Sequence, residues 1–163
     1  MPKTARQKLD ICHPSHGRAF PILAAMRKRL GGAASMVVPR PIHVEALMRT
    51  PRKGGLITLG RIRATLASRA RAETCCPLTT GIFARLAAEA AEDDRAAGRK
   101  RFTPWWRTIR DNGQLIDKFP GGKRRGAMQA RLLRAEGHAL TRSKGNSPPR
   151  IADFSTRSAS AAR

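Results

Sequence analysis

Acidic residues are scarce in this 163-residue chain: 11 Asp and Glu stand against 33 Lys and Arg, a net charge of +22. The shortage excludes the acid-lined surface of an enzyme for small cations and points to a polyanionic partner, nucleic acid first. A generic basic surface is the bland alternative. Aromatic residues make up 4% and the hydrophobic fraction is 40%, much of it Ala, so a modest, largely helical core is expected. No apolar run approaches the roughly 18 residues of a membrane span. Met1 to Asp10 is polar and has no apolar stretch after its charges, so no secretory signal is expected either. The 3 cysteines, two of them adjacent (Cys75, Cys76), make no disulfide framework, and a reducing, cytoplasmic setting is expected.

What is present falls into three parts. Residues 1–36 are basic and broken by Pro and Gly, and read as an arm with a short helix near Leu23–Leu30. Residues 143–163, rich in Ser, Arg, Pro and Ala, read as a disordered basic tail. The compact domain is then 37–142. Val44, Leu47 and Met48 recur at helical spacing behind Pro41, and this helix should stop at Thr50-Pro51. Thr58 is placed to cap a second helix carrying Leu59, Ile62, Leu66 and Ala70. Pro77 opens a third, in which Leu78, Ile82, Leu86 and Ala90 form an apolar stripe. Three short helices with tight joints predict a helix-turn-helix core. Strand formers at 104–110, a turn at Asp111-Asn112-Gly113 and a return at Gln114-Leu115-Ile116 predict a hairpin. A last helix carries Met128, Leu132 and Leu133 and stops at Gly137. The expected fold is α/β, mainly helical: a winged-helix-like DNA-binding domain with a short hairpin and flexible basic termini.

Four groups of residues carry candidate chemistry. Cys12, His13 and His16 are metal-ligand types, but no second cluster completes a tetrahedral set, so no metal is expected. Cys75-Cys76 precedes a helix start, where the dipole and Arg71 favour a thiolate; the inert reading is a small buried residue. Glu89, Glu92, Asp93 and Asp94 crowd the end of the third helix and read as a solvated end turned away from nucleic acid. The opposite end, Thr79-Thr80-Gly81, is suited to approach phosphates through backbone N–H groups. Trp105-Trp106 is read two ways, as buried core and as a surface that stacks a nucleobase beside Arg107; on a strand the two rings would face opposite sides and satisfy both.

From Thr103 onward the sequence resembles a known family. Thr103-Pro104-Trp105-Trp106-Arg107-Thr108-Ile109, Asp111-Asn112-Gly113-Gln114-Leu115, Phe119-Pro120-Gly121-Gly122 and Leu132-Leu133-Arg134-Ala135-Glu136-Gly137-His138 follow in order. They resemble the C-terminal domain of O6-alkylguanine-DNA alkyltransferases, with Pro-Cys-His-Arg-Val, an aromatic before Gly-Gly, and Leu-Leu-x-x-Glu-Gly. Gly55-Leu56-Ile57-Thr58-Leu59-Gly60-Arg61-Ile62 resembles the family's Gly-x-x-x-Thr-Tyr-Gly-x-Ile segment. The resemblance covers about residues 40–140.

The resemblance implies that an acceptor Cys should stand at Trp105 and its activating His at Trp106. Indole offers neither a thiol nor a basic nitrogen, so the transfer step is lost. Leu78 stands where the family inserts an Arg into the base stack, and Leu59 where it presses a Tyr on the phosphate. The implied function is that of a non-catalytic, alkyltransferase-like protein: it binds double-stranded DNA, recognises alkylated guanine and acts in repair with another repair protein. The implied lesion pocket comprises Pro104, Trp105, Trp106, Arg107, Phe119, Gly121, Gly122 and Glu136. The implied DNA contacts are Thr58, Leu78, Thr79, Thr80, Gly81 and Arg85. No cofactor or membrane is expected; a cytoplasmic, nucleoid-associated monomer is. Two alternatives stay open: an alkyltransferase using Cys75 or Cys76, and a winged-helix binder indifferent to lesions.

Overall fold

The computed structural model describes residues 1–121, 126–142 and 145–154. In chain order these form α1 (Ala5–Leu9), β1 (Ala19–Pro21), α2 (Ala24–Arg27) running into a 3-10 turn at Lys28–Leu30, β2 (Ser35–Val37), α3 (Pro41–Met48), β3 (Ile57–Thr58), α4 (Leu59–Arg69), β4 (Thr74–Cys75), α5 (Pro77–Ala96), a 3-10 turn at Trp105–Arg107, β5 (Thr108–Ile109) and α6 (Ala127–Ala135). The fold is mixed α/β and mainly helical. Pro41 and Pro77 occupy the first turns of α3 and α5, where a missing N–H costs nothing. Thr58 caps α4 by accepting from the Arg61 N–H. Among the described residues no helix is long and apolar enough to cross a membrane.

Two small sheets frame the helices. β2 pairs antiparallel with β1 and parallel with β4, Val37 lying beside Cys75. β3 pairs parallel with β5, Thr58 beside Ile109. The chain does reverse at residues 110–114, closed by Gly113 N–H to Arg110 C=O and Arg110 N–H to Gln114 C=O. Its two arms form no ladder with each other, however. β5 takes β3 as its partner, and Gln114 bridges to Arg150 instead.

α5, 20 residues long, is the central helix, with α1, α3 and α4 packed on it. Its inward face differs from the expected stripe. Thr80, Ala84, Ala87, Ala88 and Ala91 are buried, whereas Leu78 is 71% and Ile82 53% exposed. Position 80 lies about 200° around the helix from 78, so the first half of the expected stripe faces outward; an i, i+4 row drifts about 40° per step, which brings Leu86 against the core and buries Ala90 in it. Small side chains let α3 and α1 approach closely, and this close fit outweighs the greater hydrophobicity of the other face.

Residues 1–36 are not a free arm. Leu9 of α1 is 1% exposed within the main core, Ile22 is buried, and β1 is a strand of the sheet. Arg6 clamps α1 to the body through Glu45 and Asp94, which are 4% and 5% exposed. Thr103 and Arg49 also bind Glu45, and Arg99 binds Asp94 at 2.6 Å. Asp94 therefore belongs to a buried ionic network rather than to a solvated helix end. The described part of the expected tail is also tied down. Ile151 is 2% exposed in a second core with Ile109, Leu115 and Leu133, and bridges to Leu140.

Candidate nucleic-acid interface

The Trp-Trp segment is a 3-10 turn, not a strand, held by Trp105 N–H to Thr103 C=O and Arg107 N–H to Pro104 C=O. The turn sends Trp105 into the core at 0% exposure. Its indole N–H donates to Glu92 at 2.8 Å, and its ring meets Phe119 edge-on at 5.6 Å. Trp106 is half-buried, 6.2 Å from both Phe102 and Trp105. Neither indole has the thiol or basic nitrogen that transfer chemistry needs.

Arg107 and Glu136 sit beside Trp106 and are engaged with each other. Arg107 Nε and Nη2 donate to the Glu136 carboxylate at 2.7–3.1 Å, and Nη1 donates to the Pro51 carbonyl at 2.8 Å. Glu136 also accepts from the Trp106 indole at 2.9 Å and from the Gly54 N–H at 3.0 Å. Burial alone pushes this carboxyl up; the Arg107, Gly54 and Trp106 donors outweigh it and hold the group at about 2. The guanidinium lies 5.7 Å from the Trp106 ring centroid. Arg107 thus lies against the indole as expected, while its nitrogens are committed to Glu136 and Pro51 within the protein. The expected lesion-pocket residues Pro104, Trp105, Trp106, Arg107, Phe119 and Glu136 do assemble, but around a filled centre.

Phe119, Pro120 and Gly121 line an open cleft of about 310 Å³ with Arg85, Glu89, Asp117 and Lys118. This brings two pocket residues, Phe119 and Gly121, to Arg85, which was expected to contact DNA. Arg85 is exposed and pairs with Glu89 one turn on, at 2.7 Å. Gly121 has φ +73, and a Cβ there would press on Met128. Gly122 lies outside the described residues.

The expected DNA contacts divide. Leu78 is exposed, and Gly81 has open space around it. Thr79 is half-buried at the helix start. Thr80 cannot reach a phosphate: it is 0% exposed, and its hydroxyl donates to the Cys76 carbonyl at 2.7 Å. Thr58 is occupied as the α4 cap, and the Asp111 carboxylate accepts the Gly60 N–H at 2.6 Å. A carboxylate already fills the positive end of α4, so no phosphate is needed there. A Cβ at Gly60 would overlap that carboxylate, which explains the glycine. α5 differs: it has no side-chain cap and no acidic residue in its first turn.

Next to the α5 start is a second cleft, about 450 Å³, lined by Pro77 and by Leu59, Arg63, Arg110, Asn112 and Gln114 among others. Sequence reasoning named none of Arg63, Arg110, Asn112 and Gln114 as site residues. The Asp111-Asn112-Gly113 turn was legible, but its contact with α4, 51 positions away, was not.

Cys75 is 1% exposed, and burial pushes its thiol up, so a thiolate nucleophile there is corrected to an inert core residue. Cys76 is the half-buried residue ahead of α5. His13 pairs with Ser15 at 2.7 Å, and among the described residues no group of three His, Cys, Asp or Glu is placed to hold a metal.

No family model and no curated protein matches the chain. A solved structure, S. pombe Atl1 in complex with damaged DNA containing O6-carboxymethylguanine, is similar at 16% identity and a TM-score of 0.42, covering 63% of this chain and 80% of that one.

Proposed function

We propose that this chain is a non-catalytic DNA-binding protein of the alkyltransferase-like kind, which docks on duplex DNA through the amino end of α5. The observation that carries this reading is the state of that helix end. It is uncapped, free of acidic residues in its first turn and topped by an exposed Leu78, on a chain of net charge +22. Its free amides and dipole favour phosphate, and the exposed Leu78 and Ile82 can contact sugar or base edges. Arg63 and Arg110 line the adjoining cleft and pair there with Asp111 and Asp117, so a phosphate would have to compete with these carboxylates for them. The absence of transfer chemistry follows from the indole of Trp105 at the position the resemblance assigns to the acceptor thiol.

A preference for alkylated guanine is the second reading. The cleft beside Phe119 and Gly121 favours it, because this open space adjoins the aromatic-Gly-Gly motif that the resemblance connects with the lesion pocket. Signalling damage to another repair protein belongs to the same reading. Trp105 itself fills its site, so a lesion would be sensed in that surface cleft rather than swallowed at 105.

The test is competition binding of plain and O6-methylguanine duplexes, followed by intact-mass measurement. Binding with unchanged protein mass is expected. A methyl gained by the protein overturns the non-catalytic reading, and failure to bind either duplex at low salt overturns DNA binding. Equal affinities remove the lesion preference and leave the first reading. Leu78→Asp, at an exposed position, should weaken binding at least tenfold without lowering the melting temperature.

A further inference from the structure

The parallel strands β2 and β4 deliver α3 and α5 to one end of the three-stranded sheet, at its β4 edge. Val37 lies beside Cys75, and the Cys76 N–H donates to the Val37 carbonyl at 2.9 Å, so the two helices start side by side. Cationic groups converge there from separate elements: His13 and His16 from the loop before β1, Arg40 and His43 at the start of α3, and Arg69 at the end of α4. The Gly17 N–H donates to the Val38 carbonyl at 2.8 Å and seats the histidine loop beside Arg40. The His13 and His16 rings are 5.7 Å apart, and His16 lies edge-on to Phe83 of α5 at 5.7 Å.

These basic groups lack acidic partners. Among the described residues, none of His16, Arg40, His43 and Arg69 forms an ion pair. Arg40 Nε is shielded from solvent and has no hydrogen-bond partner. Burial lowers the pKa of His16 and of His43. Basic neighbours lower them further: His13 and Arg40 for the first, Arg40 and Arg69 for the second. With the imidazoles held toward their neutral form, Arg40 and Arg69 remain as charges without a counter-ion, and an anion would supply it. Arg40 and Arg69 bring planar forks suited to phosphate oxygens, and imidazoles donate N–H in either protonation state.

We infer that this sheet edge is a phosphate-binding patch whose ligand is a backbone phosphate of the duplex held by α5. The source of the phosphate rests on the proposed function; the chemistry of the patch does not. Arg63 of the cleft and Arg69 of the patch are six residues apart on α4, about 9 Å along its axis, so they address different phosphates.

The experiment combines the salt dependence of duplex binding with NMR of the histidine ring protons. Adding duplex should shift the His16 and His43 signals. Arg69→Gln should flatten the slope of log K against log salt by about 0.9, and Arg40→Gln with Arg69→Gln by about 1.8, one phosphate for each. Arg69 is exposed, so the single variant should keep the native melting temperature. Native binding with unmoved histidine signals and an unchanged slope overturns the patch and leaves the proposed function standing. If the native chain binds no duplex, that function falls. Inorganic phosphate or pyrophosphate shifting the same signals would then support the patch as a site for free phosphate, and no shift would overturn it.

Discussion

Glu136 joins three separate parts of the chain, and its carboxylate sets a measurable dependence of stability on pH. Its oxygens accept from Arg107, from the Trp106 indole and from the Gly54 N–H. These donors hold its pKa at about 2 against an ordinary 4.5. That gap of about 2.5 units corresponds to about 3 kcal/mol at about 1.4 kcal/mol per unit. The site is half-buried and water screens part of the interaction, so about 2 kcal/mol at pH 7 is the expected contribution. The folded value lies below the unfolded one. The stabilisation is therefore complete above about pH 5 and is lost as pH falls through 4.5 toward 2. Glu136→Gln keeps the shape and one acceptor but removes the charge. The variant should be about 2 kcal/mol less stable at pH 7, which is about 4–8 °C in melting temperature for a domain of this size. Urea titrations followed by circular dichroism at pH 7, 5, 3 and 2.5 give the difference directly. The gap between native and variant must close on the acid side. A gap of the same size at pH 7 and pH 2.5 would refute the charged clamp and reduce Glu136 to a shape-filling residue.

Other perturbations test other parts of the structure. Arg6→Ala leaves Glu45 and Asp94 buried with one partner fewer each, and Arg6 itself is 28% exposed. A loss of about 3 kcal/mol is expected, and a urea midpoint indistinguishable from native would show that α1 is not anchored there. Trp105→Ala empties a fully buried indole site and should cost about 3–5 kcal/mol; below its melting temperature the variant should keep its affinity for plain duplex, and a selective loss of binding would return Trp105 to the interface. In thiol labelling of the native chain, exposed Cys12 should react first, and Cys75 only on unfolding. Equal rates at the two sites would contradict the burial of Cys75.

Much of this was legible in the sequence because it is local. Pro41, Thr58 and Pro77 announce the starts of α3, α4 and α5, since a missing N–H and a hydroxyl cap act within one helical turn. What eluded the sequence depends on distant partners. Arg6 looks like one more charge in a basic arm until Glu45 and Asp94, 39 and 88 positions away, give it a buried pair. Ile151 looks like an isolated apolar residue in a tail until Leu140 bridges it and Leu115 and Leu133 share its core. The α5 stripe holds at Leu86 and Ala90 and fails at Leu78 and Ile82 for a related reason: periodicity ranks faces by hydrophobicity, whereas close helix packing selects the face that is small. The Trp pair was placed on a strand because its neighbours are strand formers, but Pro104 opens a 3-10 turn that directs one ring inward.

The outward turn of Leu78 and Ile82 is also what leaves the start of α5 open. Had Leu78 and Ile82 been the core face of α5, its amino end would be closed by packing. The burial of Ala84, Ala87 and Ala88 leaves Leu78 and Ile82 outside, at a helix start that, unlike that of α4 but like those of α3 and α6, has no side-chain cap and no acidic residue in its first turn. α4 shows the contrast, since Asp111 satisfies its Gly60 N–H and pairs with Arg63. One helix end is thus satisfied within the fold, and the other is left without a side-chain cap. At 105–107 the same reasoning runs the other way. Arg107 and Glu136 satisfy each other, Trp105 and Trp106 donate to Glu92 and Glu136, and among the described residues no side chain at 105–107 is left without a partner. Unmet donors and unpaired cations lie at the sheet edge and the start of α5, so affinity for a polyanion should reside there and not around the tryptophans.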